Sequence, residues 1–501
     1  MKRILIVAQM READRYTIND REVPSLTLMR RAGEALSREA EKIISQGEVL
    51  CVCGGGNNGG DGYVCAEILL ESGREVTVVS VGESKSTDNA VCKQRFIDAG
   101  GRVQTDFPDR TYSLVVDCIL GTGFYGEPKQ EYAEAIARVN AYKRAGAKIL
   151  SADIPSGLNG DNGKKSVCVE ADVTLCIGEE KAGVYYGDGI DVAGEVRCAD
   201  IGILLPEKNY AIRTEEEEVK KLLPKRKRNT HKGSYGRVAI IGGSAQYFGA
   251  GYLSAYGCLR AGAGYTYLYV PQSVLGYYVL KNPEMIVRAL DGAGVRGMRK
   301  TLDEILQMQA VAYGMGMGVT KEVCEGAKYL LQEYTGKLLL DADALNALAK
   351  YEKGNLQPIF ANKKCEVVLT PHVKEFSRLT GESVDEILEK GMLAPVEFAK
   401  RHEVTVLLKG AVTTITNGES IAVNAVGSAG QAKGGSGDAL SGVIAGLMGQ
   451  GLSAFDGAVA GAYLLGKSAK NLEKTISEYA MLATDVIDGL GAVFSELYVT
   501  E

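Results

Sequence analysis

The stretch Lys433-Gly-Gly-Ser-Gly-Asp-Ala-Leu-Ser-Gly442 places Gly434, Gly435, Gly437 and Gly442 around one carboxylate, Asp438. Glycines let a backbone approach a ligand closely. The apolar residues that follow (Ala439, Leu440, Val443, Ile444, Leu447) have helical spacing. The loop therefore opens a helix whose unpaired N–H groups and positive dipole end make an anion site. Bound phosphate would repel a carboxylate there, so Asp438 needs another purpose. One is to take a proton from a hydroxyl engaged in phosphoryl transfer. The other is to serve as the helix N-cap.

Five further stretches of the second half have matching chemistry. Ile241-Gly-Gly-Ser-Ala-Gln-Tyr-Phe-Gly-Ala250 and Gly314-Met-Gly-Met-Gly318 are glycine turns after apolar runs. Leu340-Asp-Ala-Asp-Ala-Leu-Asn346 and Leu369-Thr-Pro-His-Val-Lys-Glu-Phe376 each end a predicted strand, and Lys409-Gly-Ala-Val-Thr413 adds a cation and open amides. Taken singly, Asp341 and Asp343 also read as helix caps and His372 as a core or turn histidine. The chain has no G-x-x-x-x-G-K-[ST], which excludes a P-loop ATPase.

In the first half, Gly54-Gly-Gly-Asn-Asn-Gly-Gly-Asp-Gly62 contains a formal G-x-G-x-x-G, with Glu83 as a ribose partner beyond the next strand. Its polarity sets it apart. Asn57, Asn58 and Asp61 suit ribose hydroxyls, an amide, or a hard monovalent cation. Val115-Val-Asp-Cys-Ile-Leu-Gly-Thr-Gly-Phe-Tyr-Gly126 supplies Asp117, and Ser151-Ala-Asp-Ile-Pro-Ser-Gly-Leu-Asn159 supplies Asp153 and Ser156. Three carboxylates (Asp61, Asp117, Asp153) on adjacent strand ends are expected to surround a site. They must be offset by donors or a cation, or one must hold a proton.

Asn57-Asn-Gly-Gly-Asp-Gly62, Val116-Asp-Cys-Ile-Leu-Gly-Thr-Gly123 and Asp153-Ile-Pro-Ser-Gly157 resemble the signature loops of the NAD(P)H-hydrate epimerase (YjeF N-terminal) family, over about residues 8–205. Pro24-Ser-Leu-Thr-Leu-Met-Arg-Arg-Ala-Gly33 resembles its helical opening, except that Arg30-Arg31 replaces a usual Glu-Asn. The resemblance implies that Asn57, Asn58, Gly59, Gly60, Asp61 and the run Gly121, Thr122, Gly123, Phe124, Tyr125, Gly126, Glu127 bind the hydrated nucleotide with Asp153. It implies K+ on Asn58, Asp117 and Ser156, with Asp153 and Asp117 the catalytic candidates. The hydrate is a hemiaminal, opened and closed by an acid and a base, and which carboxylate acts stays open.

The second-half set resembles the ribokinase-like superfamily, and more closely the ADP-dependent NAD(P)H-hydrate dehydratase family, over about residues 228–495. Lys232-Gly-Ser-Tyr-Gly236, Gly243-Ser244 and Gly249-Ala250 match its opening motifs. By that resemblance Lys409, Gly410, Ala411, Val412, Thr413, Lys433, Gly434, Gly435, Ser436 and Gly437 bind ADP. Ala250, Gly316, Gly318, His372 and Asp438 face the hydrate, Mg2+ accompanies the nucleotide, and Asp438 is the base. The competing readings are a small-molecule kinase of vitamin alcohols fused to a nucleotide-binding domain, and a first domain that serves only as a sensing scaffold.

Alternating elements must position these groups. Apolar runs at Val49–Cys53, Val76–Val81, Leu114–Leu120 and Lys148–Ala152 read as strands, with helices over Val64–Leu70 and Tyr132–Tyr142 and a helix capped by Ser25. The alternation resumes at Arg237, which predicts parallel sheets with helices on both faces. The fold class is thus α/β in two domains, an N-terminal Rossmann-like and a C-terminal ribokinase-like α/β/α sandwich. Expected boundaries are 1–213, a charged linker 214–229, and 230–501. The 501 residues exceed one ordinary core. A net charge of −6 gives nucleic acid no electrostatic support. No apolar run reaches membrane-spanning length, and eleven cysteines with no C-x-x-C suit buried thiols in a cytoplasmic protein. The partners implied are small molecules, NAD(P)HX and ADP, bound by a homo-oligomer.

Overall fold

A computed structural model describes residues 2–290, 301 and 304–498, and the chain divides into two compact units. One comprises residues 2–210 with 388–392, the other 211–387 with 393–501.

The first unit is built on a seven-stranded sheet. Its order is Val103–Gln104, Val76–Val81, Val49–Gly54, Leu114–Cys118, Lys148–Ala152, Val173–Ile177 and Glu195–Ala199. Every neighbouring pair is parallel. The central strands are largely apolar because both faces are covered. Strand order reverses between Val49–Gly54 and Leu114–Cys118, and ligands of such sheets sit beyond the strand ends at that switch. This is a Rossmann-like α/β/α sandwich.

The helix after the first central strand begins earlier than its apolar pattern predicts. It spans Asn57–Glu71, so Asn57, Asn58 and Asp61 lie in its opening turns. Glycine is required there by packing, since a Cβ on Gly59 would stand 1.8 Å from the Gly54 carbonyl oxygen. Pro24 occupies the N-cap expected of Ser25, which is the first residue of the helix Ser25–Ile43. On that helix Arg30 pairs with Glu67 at 3.0 Å, and Arg31 donates to the Ile201 carbonyl at 3.0 Å. The two arginines that depart from the family pattern thus hold helices and loops of their own unit.

The second unit carries strands in the order Ile286–Leu290, Tyr265–Pro271, Arg237–Ile241, Ala310–Tyr313, Lys337–Leu340, Glu366–Leu369, Thr405–Leu408, Thr413–Thr416, Ile421–Asn424 and Ala211–Arg213. The pairs are parallel up to Thr405–Leu408, after which two antiparallel steps follow. Apolar cores fill both faces. The stretch expected to be a linker, 214–229, contains the helix Glu216–Leu222, whose Val219 is fully buried in the core of this unit. Its charges had masked one apolar face. Arg226 of the basic run stacks over the Tyr235 ring at 4.0 Å.

The helices Phe248–Arg260 and Ser436–Gly449 cross in close contact. A Cβ on Gly442 would lie 1.8 Å from the Ser254 carbonyl oxygen. Gly442→Ala is expected to force the helices apart at a cost of about 1–3 kcal/mol. A melting scan should show the second unit's transition lowered by several degrees, and an unchanged transition would contradict the close packing.

Candidate functional site

In the first unit a cleft of ≈ 680 Å³ opens at the sheet switch point. Asn57, Asn58, Asp61, Asp153 and the run Gly121–Tyr125 with Glu127 all line it. The fold brings these residues to one cleft, while Gly59, Gly60 and Gly126 are not part of its lining. Asp153 follows the strand Lys148–Ala152 in a left-handed conformation, φ 69°. Such strain in a non-glycine residue persists only where the surroundings fix it. Here the Ile177 N–H donates to Asp153 Oδ1 at 3.1 Å, and the buried ammonium of Lys181 pairs with the same oxygen.

Asp117 departs from expectation. It is fully buried and absent from the cleft lining. Its oxygens accept from Ser151 Oγ at 2.8 Å, Ser156 N at 2.9 Å, Ser156 Oγ at 2.5 Å and Ile119 N at 3.3 Å. Burial raises its carboxyl and these donors pull it back. Asp117 therefore ties strand ends together and is not a proton-transfer group of the cleft.

Asn58 Oδ1 and Nδ2 are both buried with no hydrogen-bond partner among the described residues. The amide lies against Gly121, next to Leu120, whose carbonyl and N–H both engage Ser156 Oγ, at 3.1 and 2.8 Å. Asn58 thus keeps an unsatisfied buried amide beside the loop that Asp117 and Ser156 tie down, and an amide oxygen, a carboxylate and a hydroxyl are the donor types a hard monovalent cation takes.

Two residues of this site escaped the sequence reading. Lys181 is fully buried, and its strand Glu180–Lys181 is pinned by the parallel strand Lys2–Leu5. The signal was a charged run between glycines, Gly178–Gly183, after an apolar strand. Asp14 also lines the cleft, on the helix Val7–Arg15. Its signal was an acid on the apolar stripe of Met10 and Ile18. Desolvation pushes Asp14 up to about 6; Lys181 opposes the rise and Asp153 adds to it. Desolvation, then the charges of Asp153 and Asp14, raise Asp61 well above the carboxylate range.

The second unit gathers its groups at the ends of parallel strands. Asp438 is the third residue of the helix Ser436–Gly449, whose N-cap is Gly435 at φ 96°. The N-cap reading of Asp438 is thereby excluded, and the first-turn N–H groups stay open to an anion. Ser254 Oγ donates to the Asp438 carbonyl at 2.9 Å and fixes this turn. Lys409 Nζ donates to Asp341 Oδ1 at 2.9 Å, and Ser441 Oγ to Asp341 Oδ2 at 2.6 Å. The same ammonium would stand 3.3 Å from a Cβ on Gly437, so it sits under the anion loop. Asp343 Oδ2 accepts from Gly318 N at 2.7 Å, which shapes the Gly314–Gly318 turn, and Ala342 between the two aspartates has φ 49°.

His372 caps the helix Val373–Thr380, its Nδ1 accepting from Lys374 N and Glu375 N at 3.1 and 3.2 Å. The ring is half-exposed beside Glu375, and the His372 and Lys409 backbones pair in an isolated parallel bridge. Ala250 and Gly316 meet face to face, a Cβ on Gly316 falling 2.8 Å from that of Ala250. Gly410, Ala411, Val412 and Thr413 form the turn between Thr405–Leu408 and Thr413–Thr416. Lys433 donates to the Tyr479 and Met481 carbonyls at 2.6 and 2.8 Å, so its charge anchors that segment beside Gly434, Gly435 and Ser436. Desolvation, then Asp341, Asp343 and Glu375, push Asp438 up to about 7 against the pull of Lys409.

A family profile described as NAD(P)H-hydrate dehydratase matches residues 238–491, and one described as YjeF-related protein N-terminus matches residues 25–183. A bifunctional NAD(P)H-hydrate repair enzyme of Moorella thermoacetica is 33% identical over 524 aligned positions, covering 99% of this chain and 97% of the relative. An ADP/ATP-dependent NAD(P)H-hydrate dehydratase of Bacillus subtilis, co-crystallised with ATP/Mg2+, superposes at TM-score 0.51 with 27% identity, over 57% of this chain and 99% of its own. A ribokinase-like superfamily protein of Enterococcus faecalis has the same fold at TM-score 0.50 and 24% identity, over 57% of this chain and 96% of its own.

The Asp438 carboxyl ionises near 7 in the fold and near 3.8 when unfolded. The unfolded chain releases that proton first, so the native state loses stability as pH rises from about 4 to about 7 and by a constant amount above. Asp438→Asn should therefore stabilise the second unit by on the order of 1–3 kcal/mol above pH 7 and hardly at all below pH 4. Melting scans across pH read this, and a pH-independent difference would contradict it.

Proposed function

The chain belongs to the family of bifunctional NAD(P)H-hydrate repair enzymes, and from that premise we propose how its two sites divide the work. The first unit interconverts the (R) and (S) hydrates of NAD(P)H. The second dehydrates (S)-NAD(P)HX to NAD(P)H, with ADP as phosphoryl donor and AMP and phosphate as products. The observation that carries this reading is Asp438. It is a carboxyl tuned to about 7 in the first turn of a helix whose open N–H groups lie beside a lysine ammonium.

Asp438 removes the proton of the ring hydroxyl, whose oxygen then bonds to the terminal phosphorus of ADP while the bond to the bridging oxygen breaks. The ring phosphate leaves with its C–O electron pair as a proton is lost from the ring, and the dihydropyridine is restored. Lys409 and the N–H groups of Gly437 and Asp438 stabilise charge on the phosphoryl oxygens. Among the described residues no three acidic, histidine or cysteine side chains are grouped to hold a metal. Mg2+ would accompany the nucleotide and neutralise charge on its phosphates. Ala250, Gly316, Gly318 and His372 line the hydrate side, and the Lys409–Thr413 turn with Gly434–Gly437 receives ADP.

In the first unit the hydrate occupies the cleft with Asp153 at the hydrated ring and the Asn57–Asp61 turns and Gly121–Glu127 along the nucleotide. Asn58, Asp117 and Ser156 would hold K+, which would supply a fixed positive charge near the substrate. The reading places the enzyme in the cytoplasm, where its eleven unpaired thiols stay reduced.

The vitamin-kinase alternative fails to use the first unit's cleft, and the scaffold alternative leaves its ion-paired Asp153 without purpose. Asp438→Asn is expected to lower dehydration of pure (S)-NADHX by roughly 10²–10⁴-fold while leaving epimerisation intact. In the wild type, kcat/KM for dehydration should fall as pH drops below about 7, because the base must be ionised. Near-normal turnover in the variant would refute the assignment.

A further inference from the structure

The epimerase reading names Asp153 at the hydrated ring, yet inversion of a carbon centre asks for an acceptor on each of two approaches. Asp153 Oδ1 is already committed to Lys181 and the Ile177 N–H. A second carboxyl comes from another wall of the same cleft. Met10, Asp14 and Ile18 recur at i, i+4 and i+8, so one helical face looks into the cleft, and all three line it. That face is held firmly. The Val7 N–H donates to Asp161 Oδ1 at 2.6 Å at one end, and Thr17 at the other bridges the Ala13 carbonyl and the Leu204 N–H, both at 2.8 Å. The helix passes straight into a π-helical turn, Tyr16–Asp20, an irregularity found often at functional sites. Asp14 itself makes no hydrogen bond to any described residue, although it is only partly exposed.

The groups around Asp14 are Arg11 on its own helix, Asp61 on the helix Asn57–Glu71, Asp153 at a strand end and Lys181 on the strand beside it. The buried ammonium of Lys181 cannot neutralise three carboxyls, and Arg11 is exposed and screened by solvent. Lys181 serves Asp153, and desolvation with the charges of Asp153 and Asp14 raises Asp61 and favours its neutral form. Asp14 is left as the carboxyl that ionises near neutral pH. We propose that Asp14 is a catalytic residue of the epimerase, the proton acceptor for one hydrate epimer as Asp153 is for the other. This rests on the epimerase reading above.

The step balances. Asp14 takes the hydroxyl proton and the C–O bond becomes a carbonyl. The bond from that carbon to the ring nitrogen breaks, its electron pair going to nitrogen, which takes a proton from the neutral Asp61. The aldehyde turns about the adjacent C–C bond, and the nitrogen attacks its other face while returning its proton to Asp61. The proton held by Asp14 passes through solvent to Asp153, which delivers it to the re-formed alkoxide oxygen, and both carboxylates are restored. No oxidant or further reactant is needed.

The test uses the full chain and purified (R)-NADHX, with inversion read by chromatography without ADP. Asp14→Asn should lower kcat for inversion by roughly 10²–10⁴-fold with little change in KM. The wild-type rate should fall as pH drops through about 6, and that limb should vanish from the residual rate. Asp14→Glu should recover part of the rate. Dehydration of (S)-NADHX by the same preparation should be unchanged, and a melting scan should show both variants folded. A normal rate in Asp14→Asn, a loss confined to KM, or a retained acid limb would overturn the proposal. Absence of inversion in the wild type would instead overturn the epimerase reading itself.

Discussion

Lys181 in the first unit and Lys409 in the second each bring one positive charge among several carboxyls. Lys181 is fully buried and pairs with Asp153, leaving Asp61 and Asp14 to share a desolvated cleft. Lys409 is taken by Asp341, leaving Asp438 among the charges of Asp341, Asp343 and Glu375. Full ionisation of such a group is unfavourable where water is scarce, so at least one carboxyl in each set is pushed toward neutrality. Such a shift is also what acid–base chemistry at neutral pH demands. The other features of both sites serve to hold those charges in place, from the glycine approaches to the strained turns at Asp153 and Ala342.

The scaffolds achieve this by ordinary means. In the first unit the cleft opens beyond the strand ends where the strand order reverses, and in the second Asp341 and Lys409 follow the ends of parallel strands. In the first unit the helix carrying Asn57, Asn58 and Asp61 starts within its glycine run, because the backbone of Gly54 leaves no room for a side chain on Gly59. In the second, Gly442 lets two helices touch, and Ser254 reaches the Asp438 carbonyl across that contact. Helix placement and base placement are thus one packing event.

Much of this was legible in the chain. The strands Val76–Val81 and Lys148–Ala152 fall where the β-branched and apolar runs predict them. The loop residues of both sites assemble because turn chemistry is local and strand-end geometry is general. The misreadings came from what is not local. The role of Asp117 is fixed by serines 34 and 39 residues away, which no window of sequence displays. Lys181 reads as a surface charge until the strand Lys2–Leu5 covers it. The helix Glu216–Leu222 was hidden by its own charges, since only Val219 and its neighbours mark the buried side. Asp14 stood in plain view as a carboxylate on an apolar helical face, and only the cleft gives that anomaly a purpose.

The account holds that one chain both equilibrates the hydrate epimers and consumes one of them. The most direct measurement is near-ultraviolet absorbance of reduced nicotinamide after the chain is added to mixed NADHX epimers with ADP and Mg2+. Rapid recovery that runs past the (S) fraction to completion is the predicted result. A fast phase that stops at that fraction, followed only by the spontaneous rate, would contradict it.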